Sequence, residues 1–481
     1  MLKSANLCLS LVMAGATLGA VGMLGPSGAA HAGNFVSEAD YDFDCDGVRD
    51  LIDSEPAETV EGVASAGMVT VTYSQTGATH EISQATPGVP GAPESEDLFG
   101  WSHTAYDRDQ DGCDELVIGI PYEGIGSASN AGMVTIIPGS ATGLDTSRGE
   151  GYTQGTGGIP CAAEFADWFG RSLAAGHTAD GVPYLLIGVP GEDGNGIRDH
   201  GTIYYLRPGS VTVIHQDSPG VSGARETGDY FGESLAVSDL YFVVGSHSES
   251  IGANLAGGIV HVFSHTLTSG RPTPLTAFHQ DTNGISGTAE REDRFGWSVS
   301  VIPYRPGLTS VGALVAVGVM GEDVSGEVDA GMAHLVYVSP SGGVKQVAAF
   351  HQDTPGVTGN PETGDELGSN VVVANLDPAS TVAVPDTTAW AAAVGFEDTA
   401  NGNTSAAHIL RATWQPGNPD IWLEGGRYGL PLDSVYAGER LRASTTHLHF
   451  GAMNPPCYAI PWRNLLDGAS DPVIARNDDC V

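Results

Sequence analysis

Residues 215–232, HQDSPGVSGARETGDYFG, end on an aromatic residue followed by glycine, and four relatives of this stretch recur along the chain. The other copies end at Gly100, Gly170, Gly296 and Gly368. We take the residue before each final glycine as the anchor of one repeat, and weaker matches extend the series at both ends. The seven anchors are Phe35, Phe99, Phe169, Phe231, Phe295, Leu367 and Tyr428. They lie 61 to 72 residues apart, which predicts one structural unit per repeat.

Each unit contains short apolar runs separated by glycine, proline and acidic turns, as in residues 116–121 and 132–136. No segment shows helical periodicity over ten or more residues, so the pattern indicates an all-β fold. Four strands per unit, seven times over, predict a single seven-bladed β-propeller across residues 33–481. A solenoid with turns of sixty-odd residues is the main alternative.

Three features of the chain resemble the FG-GAP repeat. They are the aromatic–glycine anchor, the Asp-rich loop that follows it in two units, and the Gly-x-Pro strand ends at residues 119–121 and 188–190. This repeat builds the head domains of integrin α-chains and occurs in many exported bacterial proteins. The resemblance covers residues 33–470 and implies a seven-bladed propeller that holds calcium in hairpin loops on one face. It also implies an integrin-like role in cell adhesion.

Two units carry an acidic loop that starts seven or eight residues after the anchor. The first offers the side chains of Asp42, Asp44, Asp46 and Asp50 and the backbone carbonyl of Val48. The second offers the side chains of Asp107, Asp109, Asp111 and Glu115 and the carbonyl of Cys113. Oxygen ligands at alternate positions with a glycine at the tight turn suit Ca²⁺. We expect two structural calcium sites that brace the first two blades, the alternative being acidic turns with solvated carboxylates.

The N-terminus has the pattern of a secretory signal peptide over residues 1–32. Lys3 supplies the positive charge, residues 7–23 are mostly apolar or small, and Ala30-His31-Ala32 is a cleavage site that would leave Gly33 first. An uncleaved membrane anchor is the alternative. We therefore expect a secreted, extracellular protein without membrane insertion. The net charge of −39 also argues against nucleic acid as a partner.

Removal of the signal peptide would leave five cysteines, an odd number that predicts at least one free or intermolecular thiol. Cys457 and Cys480 bracket the C-terminal tail and are the first candidate disulfide, whereas Cys45, Cys113 and Cys161 cannot be assigned. Because little chain precedes the first anchor, we expect residues 457–459 and 473–475 to close the ring.

No catalytic motif of a zinc protease or serine hydrolase occurs in the sequence. His215, His279 and His351 recur once per repeat, which indicates a turn or strand-end hydrogen bond. The Gly-Glu-Asp turns at Gly191 and Gly321 are interpreted in the same way, as exposed acidic turns of the repeat.

We find no set of His, Glu, Arg or Tyr that breaks the repeat, except in the seventh unit. That set comprises Arg427, Arg440, Arg442, His447 and His449. The sequence therefore favours a monomeric binding, adhesion or scaffold module for an extracellular protein or glycan, without catalytic residues. The alternative is an extracellular hydrolase or lyase that uses the central pocket of the propeller.

Overall fold

A computed structural model describes residues 41–399, 402–403, 405–431, 440–451 and 457–476. The predicted signal peptide, the anchor Phe35 and Cys480 lie outside the described residues. Within them the chain forms seven antiparallel β-sheets arranged as blades in a ring. The prediction of a seven-bladed β-propeller is confirmed, and the solenoid alternative is wrong. No helix in the described part of the chain is long and apolar enough to cross a membrane.

Each of the first four blades is a meander of consecutive strands. Blade 1 has β1 (Leu51–Glu55), β2 (Met68–Thr72) and β3 (Thr79–Ile82), and blade 2 has β4 (Ser102–Tyr106), β5 (Glu115–Ile120), β6 (Met133–Ile137) and β7 (Glu150–Tyr152). Blade 3 has β8 (Ser172–His177), β9 (Pro183–Val189), β10 (Thr202–Arg207) and β11 (Ser210–Ile214). Blade 4 has β12 (Ser234–Val237), β13 (Tyr241–Ser246), β14 (Ile259–Thr268) and β15 (Arg271–Phe278).

The remaining three blades follow the same plan with two additions. Blade 5 has β16 (Val299–Tyr304), β17 (Gly312–Val319), β18 (Met332–Val338) and β19 (Val344–Phe350). Blade 6 has β20 (Val371–Asn375), β21 (Thr388–Val394), β24 (Ala406–Arg411) and β25 (Ile421–Leu423), with the ribbon β22 (Asp398–Thr399) and β23 (Gly402–Asn403) inserted. Blade 7 has β26 (Arg440–Ala443), β27 (His447–Gly451), β28 (Cys457–Pro461) and β29 (Ile474–Arg476), with helix α1 (Trp462–Asp467) before β29.

The hydrophobic core is divided into clusters, each lying between two neighbouring blades. Ile52 and Val69 of blade 1 pack with Leu116 and Ile118 of blade 2, for example, and the anchor Phe99 lies among them. The five described anchors from Phe99 to Leu367 are fully buried in five such clusters. Burial of one phenylalanine contributes about 1.5–3 kcal/mol, so each anchor is a main contact between its blade and the preceding one.

The backbone at each anchor also bonds to the preceding blade. The N–H of Phe169, for example, donates to the carbonyl of Ala131 at 2.9 Å. Equivalent bonds join Phe99 to Ala66, Phe231 to His200, Phe295 to Gly257 and Leu367 to Ala330. The glycine after each anchor has φ between +87° and +97° in these five units, a conformation that side chains with a Cβ rarely adopt. The aromatic–glycine pair is therefore required by the junction itself.

A serine on the innermost strand completes the junction. The hydroxyl of Ser172 donates to the carbonyl of Gly232 at 2.6 Å, and Ser102, Ser234 and Ser298 make the same bond to the next blade. The glycine of the Gly-x-Pro strand end lies against this carbonyl, and a Cβ at Gly188 would meet it at 2.3 Å. Blade 1 departs from this pattern, because Ser54 occupies the glycine position and itself donates to Gly100.

The last blade is completed by the C-terminal segment, as predicted. In the outer pair of strands, Cys457 pairs with Arg476, Tyr458 with Ala475 and Ala459 with Ile474. Helix α1 packs beside these strands through Trp462 and Leu465, which belong to the cluster between blades 6 and 7.

Substitution of Gly188 by alanine tests the junction. The added methyl group would overlap the carbonyl of Gly232 and the hydroxyl of Ser172, so we expect the free energy of unfolding to fall by about 3 kcal/mol. The measurement is urea unfolding followed by circular dichroism. Gly124→Ala is the matched control, because its new Cβ would have only Glu94 nearby, at 3.5 Å. Equal effects of the two substitutions would contradict this account of the repeat.

Candidate functional site

The first acidic loop connects the start of the described chain to β1. The carboxylate of Asp42 accepts hydrogen bonds from the backbone N–H groups of Asp46 and Gly47, at 3.0 and 2.8 Å. Asp46 accepts from Val48 at 2.8 Å, and Asp50 accepts from Phe43 at 3.0 Å. These bonds are local, so the spacing of the aspartates in the sequence determines the shape of the loop.

The second loop, between β4 and β5, repeats this network residue by residue. Asp107 accepts from the N–H groups of Asp111 and Gly112, at 3.1 and 3.0 Å, and Asp111 accepts from Cys113 at 2.9 Å. Glu115 takes the place of Asp50 and accepts from Arg108 at 2.5 Å. Two loops that lie in equivalent places in the fold therefore have equivalent conformations.

Three carboxylates converge in each loop. Oxygens of Asp42, Asp44 and Asp50 lie within 4.8 Å of one another, and so do oxygens of Asp107, Asp109 and Asp111. The side chains of Asp46 and Glu115 lie outside these groups. The structure thus brings together six of the eight acidic side chains singled out from the sequence.

The first group is crowded and buried. Asp50 is fully buried, and burial raises its pKa to about 6 although it accepts bonds from Phe43 and Ser74. The pKa of Asp44 is raised by burial and by the neighbouring charges of Asp46 and Asp42. In the second loop, burial raises the pKa of Glu115 to about 7. Oxygen ligands so close together with few cationic neighbours form a donor set of the kind that hard divalent cations bind.

A disulfide joins the two loops. Cys45 of the first loop is bonded to Cys113 of the second, which lies 68 residues further along the chain. The sequence left this pair open, because connectivity does not follow from cysteine spacing. By the chain-entropy relation a loop of this length contributes about 4 kcal/mol to stability. Asp114 strengthens the link, since its N–H donates to Asp42 O and its carboxylate accepts from Tyr41, at 2.9 and 2.6 Å.

The structure tests the predictions for the other cysteines only in part. Cys161 and Cys457 are each in a disulfide, so all four cysteines in the described part of the chain are oxidised. Cys480 lies outside the described residues, and the Cys457–Cys480 pairing stays a prediction.

The three repeated histidines lie at turns, as predicted. The N–H groups of His215, His279 and His351 each donate at 3.0 Å to a serine or threonine hydroxyl three residues further on. The three residues are on blades 3, 4 and 5, directly after the outermost strands. They do not converge on a common site.

His215 also lines a groove of about 690 Å³ between blades 3 and 4, together with His200, Arg225 and Arg271. Arg225 is already paired with Asp217, at 2.7 Å between Nε and Oδ2, and it contacts the His200 ring at 3.3 Å. The guanidinium of Arg271 donates to the carbonyl of Val213. The two arginines of the groove are therefore engaged within the protein, whereas Nδ1 of His215 is buried without a hydrogen-bond partner among the described residues.

The Gly-Glu-Asp turns were predicted to be exposed, and for their glutamates this prediction is wrong. Glu192 is buried, and it accepts a hydrogen bond from Gln154 of the preceding repeat. The same bond recurs at four other junctions, from Gln84 to Glu123, Gln216 to Glu249, Gln280 to Glu322 and Gln352 to Glu397. The turn was misinterpreted because its glutamate points inward, between two blades, while its aspartate is half-buried at Asp193 and exposed at Asp323.

A buried aspartate accompanies each of these glutamates. It lies two residues before the anchor and accepts a bond from the N–H three residues before it, as Asp97 does from Glu94 at 2.6 Å. Burial raises the pKa of Asp97 and Asp293 to about 6, of Asp167 to about 7 and of Asp229 to about 8. The pKa values of Glu123, Glu322 and Glu397 are raised by burial to about 7. At four of the five junctions, therefore, burial raises the pKa of both the aspartate and the glutamate.

Within the described residues, the basic set of the seventh unit is divided between two places. Arg440 and Arg442 lie on β26, and Arg442 is in register with His449 on β27. Leu441 packs against blade 6, so strand alternation places the two arginines on the opposite face of the sheet. Arg427 is separate and pairs with Glu424 at 2.8 Å.

Sequence reasoning missed a set of side chains near the propeller axis. Arg171 of blade 3 donates to Glu233 of blade 4 at 3.0 Å and to the hydroxyl of Tyr122 of blade 2 at 2.9 Å. Its guanidinium also lies over the ring of Trp101, 4.2 Å from the centroid. The expectation that only the seventh unit breaks the repeat was wrong. Comparison of the residues that follow each anchor glycine could have found this set.

No protein-family model matches the chain, and no curated protein matches it. Among solved structures, it is similar to a protein described as a putative 6-phosphogluconolactonase from Bacteroides fragilis, with 9% sequence identity over 89% of this chain and 96% of that chain and a TM-score of 0.41. It is also similar to Sqt1 of Saccharomyces cerevisiae, with 9% identity over 64% of this chain and 62% of that chain and a TM-score of 0.32. At these scores neither likeness supports an argument about function.

The buried acid pairs predict that stability falls as pH rises. Their pKa values are higher in the folded than in the unfolded chain, where they are about 4, so the folded state binds more protons between these limits. Stability should be full near pH 4 and decrease through pH 6 to 8, by several kcal/mol over the four junctions in which both acids have raised pKa values. The melting temperature measured across this range checks the sign. Glu123→Gln should flatten the dependence, whereas Glu81→Gln on an exposed strand position should leave it unchanged. A melting temperature that rises with pH would show that the pairs are ionised when folded.

Proposed function

We propose that the protein is a secreted propeller of the FG-GAP type, stabilised by calcium, that serves as an extracellular binding, adhesion or scaffold module. One observation carries the calcium part of the proposal. Two loops at equivalent positions hold three carboxylates each within 4.8 Å and share one backbone hydrogen-bond network. Acidic turns that were merely solvated would not need the same conformation twice.

The chemistry of the two groups favours a hard cation. All the converging atoms are carboxylate oxygens, and like charges at such distances repel unless a proton or a cation neutralises them. Asp42, Asp44 and Asp50 would hold one ion, and Asp107, Asp109 and Asp111 the other. Asp46, Glu115 and the carbonyls of Val48 and Cys113 are the additional ligands that the sequence pattern proposes.

The ions would have a structural role. In each group the carboxylates come from a single loop, and the Cys45–Cys113 bond ties the two loops to each other. An ion in either loop would therefore stiffen the same junction between blades 1 and 2. Such a rigid edge suits a disc whose surfaces bind other molecules.

Disulfide bonding supports the extracellular part of the proposal. All four cysteines in the described ranges are in disulfides, and disulfides persist in oxidising compartments. The signal-peptide pattern of residues 1–32 agrees with export. The acidity of the chain argues against nucleic acid as the partner, which leaves proteins and glycans.

Chelation tests the calcium sites. A ligand that binds only the folded state stabilises it by about 2.7 kcal/mol at a hundredfold excess over Kd. We expect the melting temperature to fall when a chelator replaces calcium at constant pH, and to fall much less in the double variant Asp44→Ala, Asp109→Ala. Glu81→Ala with Asp386→Ala is the control, because it removes two exposed carboxylates outside the loops. Identical melting curves with and without chelator would rule out structural calcium.

Export is tested on the full-length chain in a secreting bacterial host. The mature protein should accumulate in the medium with Gly33 as its first residue, as determined by N-terminal mass spectrometry. Substitution of Ala30 and Ala32 by bulky residues should leave the precursor uncleaved, because the peptidase needs small residues at these places. A full-length protein that stays in the cytosol of the host would contradict the assignment.

A further inference from the structure

The residue after each anchor glycine occupies a special place in the ring. It lies one or two residues before the innermost strand, and the innermost strands β4, β8, β12, β16 and β20 contact one another in succession around the axis. These five residues therefore surround one end of the central channel. They are Trp101, Arg171, Glu233, Trp297 and Ser369.

These positions differ from repeat to repeat although their neighbours do not. The preceding glycine and the serine that follows one residue later in blades 2 to 5 are uniform, because the junction between blades requires both. The junction makes no such demand on the residue between them. A large aromatic, a cation and an anion at equivalent places thus point to a role other than folding.

We call these five residues and the side chains that they contact the channel-mouth cluster. Arg171 makes most of the contacts in one half of it. Its Nε bonds to Glu233, its Nη1 bonds to Tyr122, and its guanidinium plane lies on Trp101. Among the described residues, Nη2 of Arg171 and Oε2 of Glu233 have no hydrogen-bond partner. The two side chains keep 15% and 12% of their surface exposed, so this donor and this acceptor have limited access to solvent.

Aromatic rings flank the charged pair. Trp168 and Tyr230 stack with centroids 6.0 Å apart, and both remain partly exposed. The His247 ring lies 4.8 Å from the ring of Trp297, the guanidinium of Arg294 lies 5.7 Å from the centroid of the same ring, and Trp297 remains partly exposed. The cluster therefore combines partly exposed aromatic rings with the Arg171–Glu233 pair.

This combination of groups selects the chemistry of a ligand. A cation is disfavoured, because Arg171 already lies over Trp101 and Arg294 over Trp297. An anion is disfavoured, because Glu233 neutralises Arg171. Neighbouring hydroxyls on a pyranose ring can accept from a guanidinium and donate to a carboxylate, and the C–H face of the ring packs on an aromatic side chain.

We propose that the channel-mouth cluster binds a neutral saccharide, with Arg171 and Glu233 hydrogen-bonding adjacent hydroxyls and Trp297 and the Trp168–Tyr230 pair stacking on the sugar rings. This inference rests on the proposed function as an extracellular binding module and names the glycan class of its partner. It is independent of calcium, because the acidic loops lie outside the cluster.

The test uses the whole mature protein in calcium buffer at pH 7. The probes are cellohexaose, xylohexaose, chitohexaose and maltohexaose, with hexagalacturonate as the anionic arm and N-acetylarginine amide as the cationic arm. Isothermal titration calorimetry and tryptophan fluorescence report binding, and chromatography of the incubated sugars reports cleavage. At least one neutral hexaose should bind and quench fluorescence, and the two charged probes should not.

Two variants of the cluster, one control variant and one conservative variant assign the site. Trp297→Leu and Glu233→Gln should each weaken saccharide binding about tenfold or more, since each removes one of the proposed contacts. Trp414→Phe in blade 6, outside the cluster, is the control and should bind like the natural protein. Melting curves establish that all three variants are folded, and Trp297→Phe should recover most of the binding lost in Trp297→Leu.

The outcomes separate the two proposals. Absence of binding by all four neutral sugars, equal binding by the variants, or preference for a charged probe overturns the saccharide inference while calcium stabilisation stands. Saccharide binding with a melting curve indifferent to chelator leaves the inference intact and removes the calcium part of the proposed function. Cleavage of a bound sugar would keep the site and replace the binding module by a hydrolase or lyase.

Discussion

The propeller depends on one repeated contact, in which the anchor and its glycine insert into the preceding blade. The anchor side chain fills the space between two sheets, its N–H bonds to the neighbouring hairpin, and the glycine carbonyl is held by a serine such as Ser172. Each of these interactions joins only two adjacent blades. The free energy of folding is therefore close to a sum of contributions from pairs of neighbouring blades, as in other repeat proteins. Closure of the ring protects the blade faces that an open array would expose.

The same contact separates residues that fold the chain from residues that are available for function. It fixes the anchor, its glycine and the serine, and it delivers the residue between them to the end of the central channel. Blades of nearly identical backbone can thus present Trp101, Arg171 and Glu233 side by side. This is the usual relation of a site to a widely used fold, in which the scaffold determines positions and a few free positions determine chemistry.

The fold was predictable from sequence because its determinants recur. Five copies of an 18-residue block with a glycine at φ near +90° leave few alternatives, and the strands between them have the expected apolar pattern. The acidic loops were predictable for the same reason, since their hydrogen bonds are local. The Cys45–Cys113 bond and the Arg171–Glu233 pair were not, because each joins residues more than sixty positions apart and neither is repeated. Comparison of the repeats reveals the residues that all copies share, whereas the channel-mouth cluster consists of residues that differ from copy to copy.

The repulsion among the many carboxylates of the chain can be relieved in two physically different ways. Between blades, one aspartate and one glutamate are buried near each other with a glutamine as donor, and a proton can neutralise such a pair because only one or two charges must be removed. In the loops three carboxylates converge, and those of Asp109 and Asp111 are exposed to solvent. A divalent cation neutralises such a group and also gains several ligands at once. Protons would therefore act at the buried Asp–Glu pairs between blades and also at Asp50 and Glu115 in the loops. The proposed calcium would strengthen only the edge where the two loops are joined by Cys45 and Cys113.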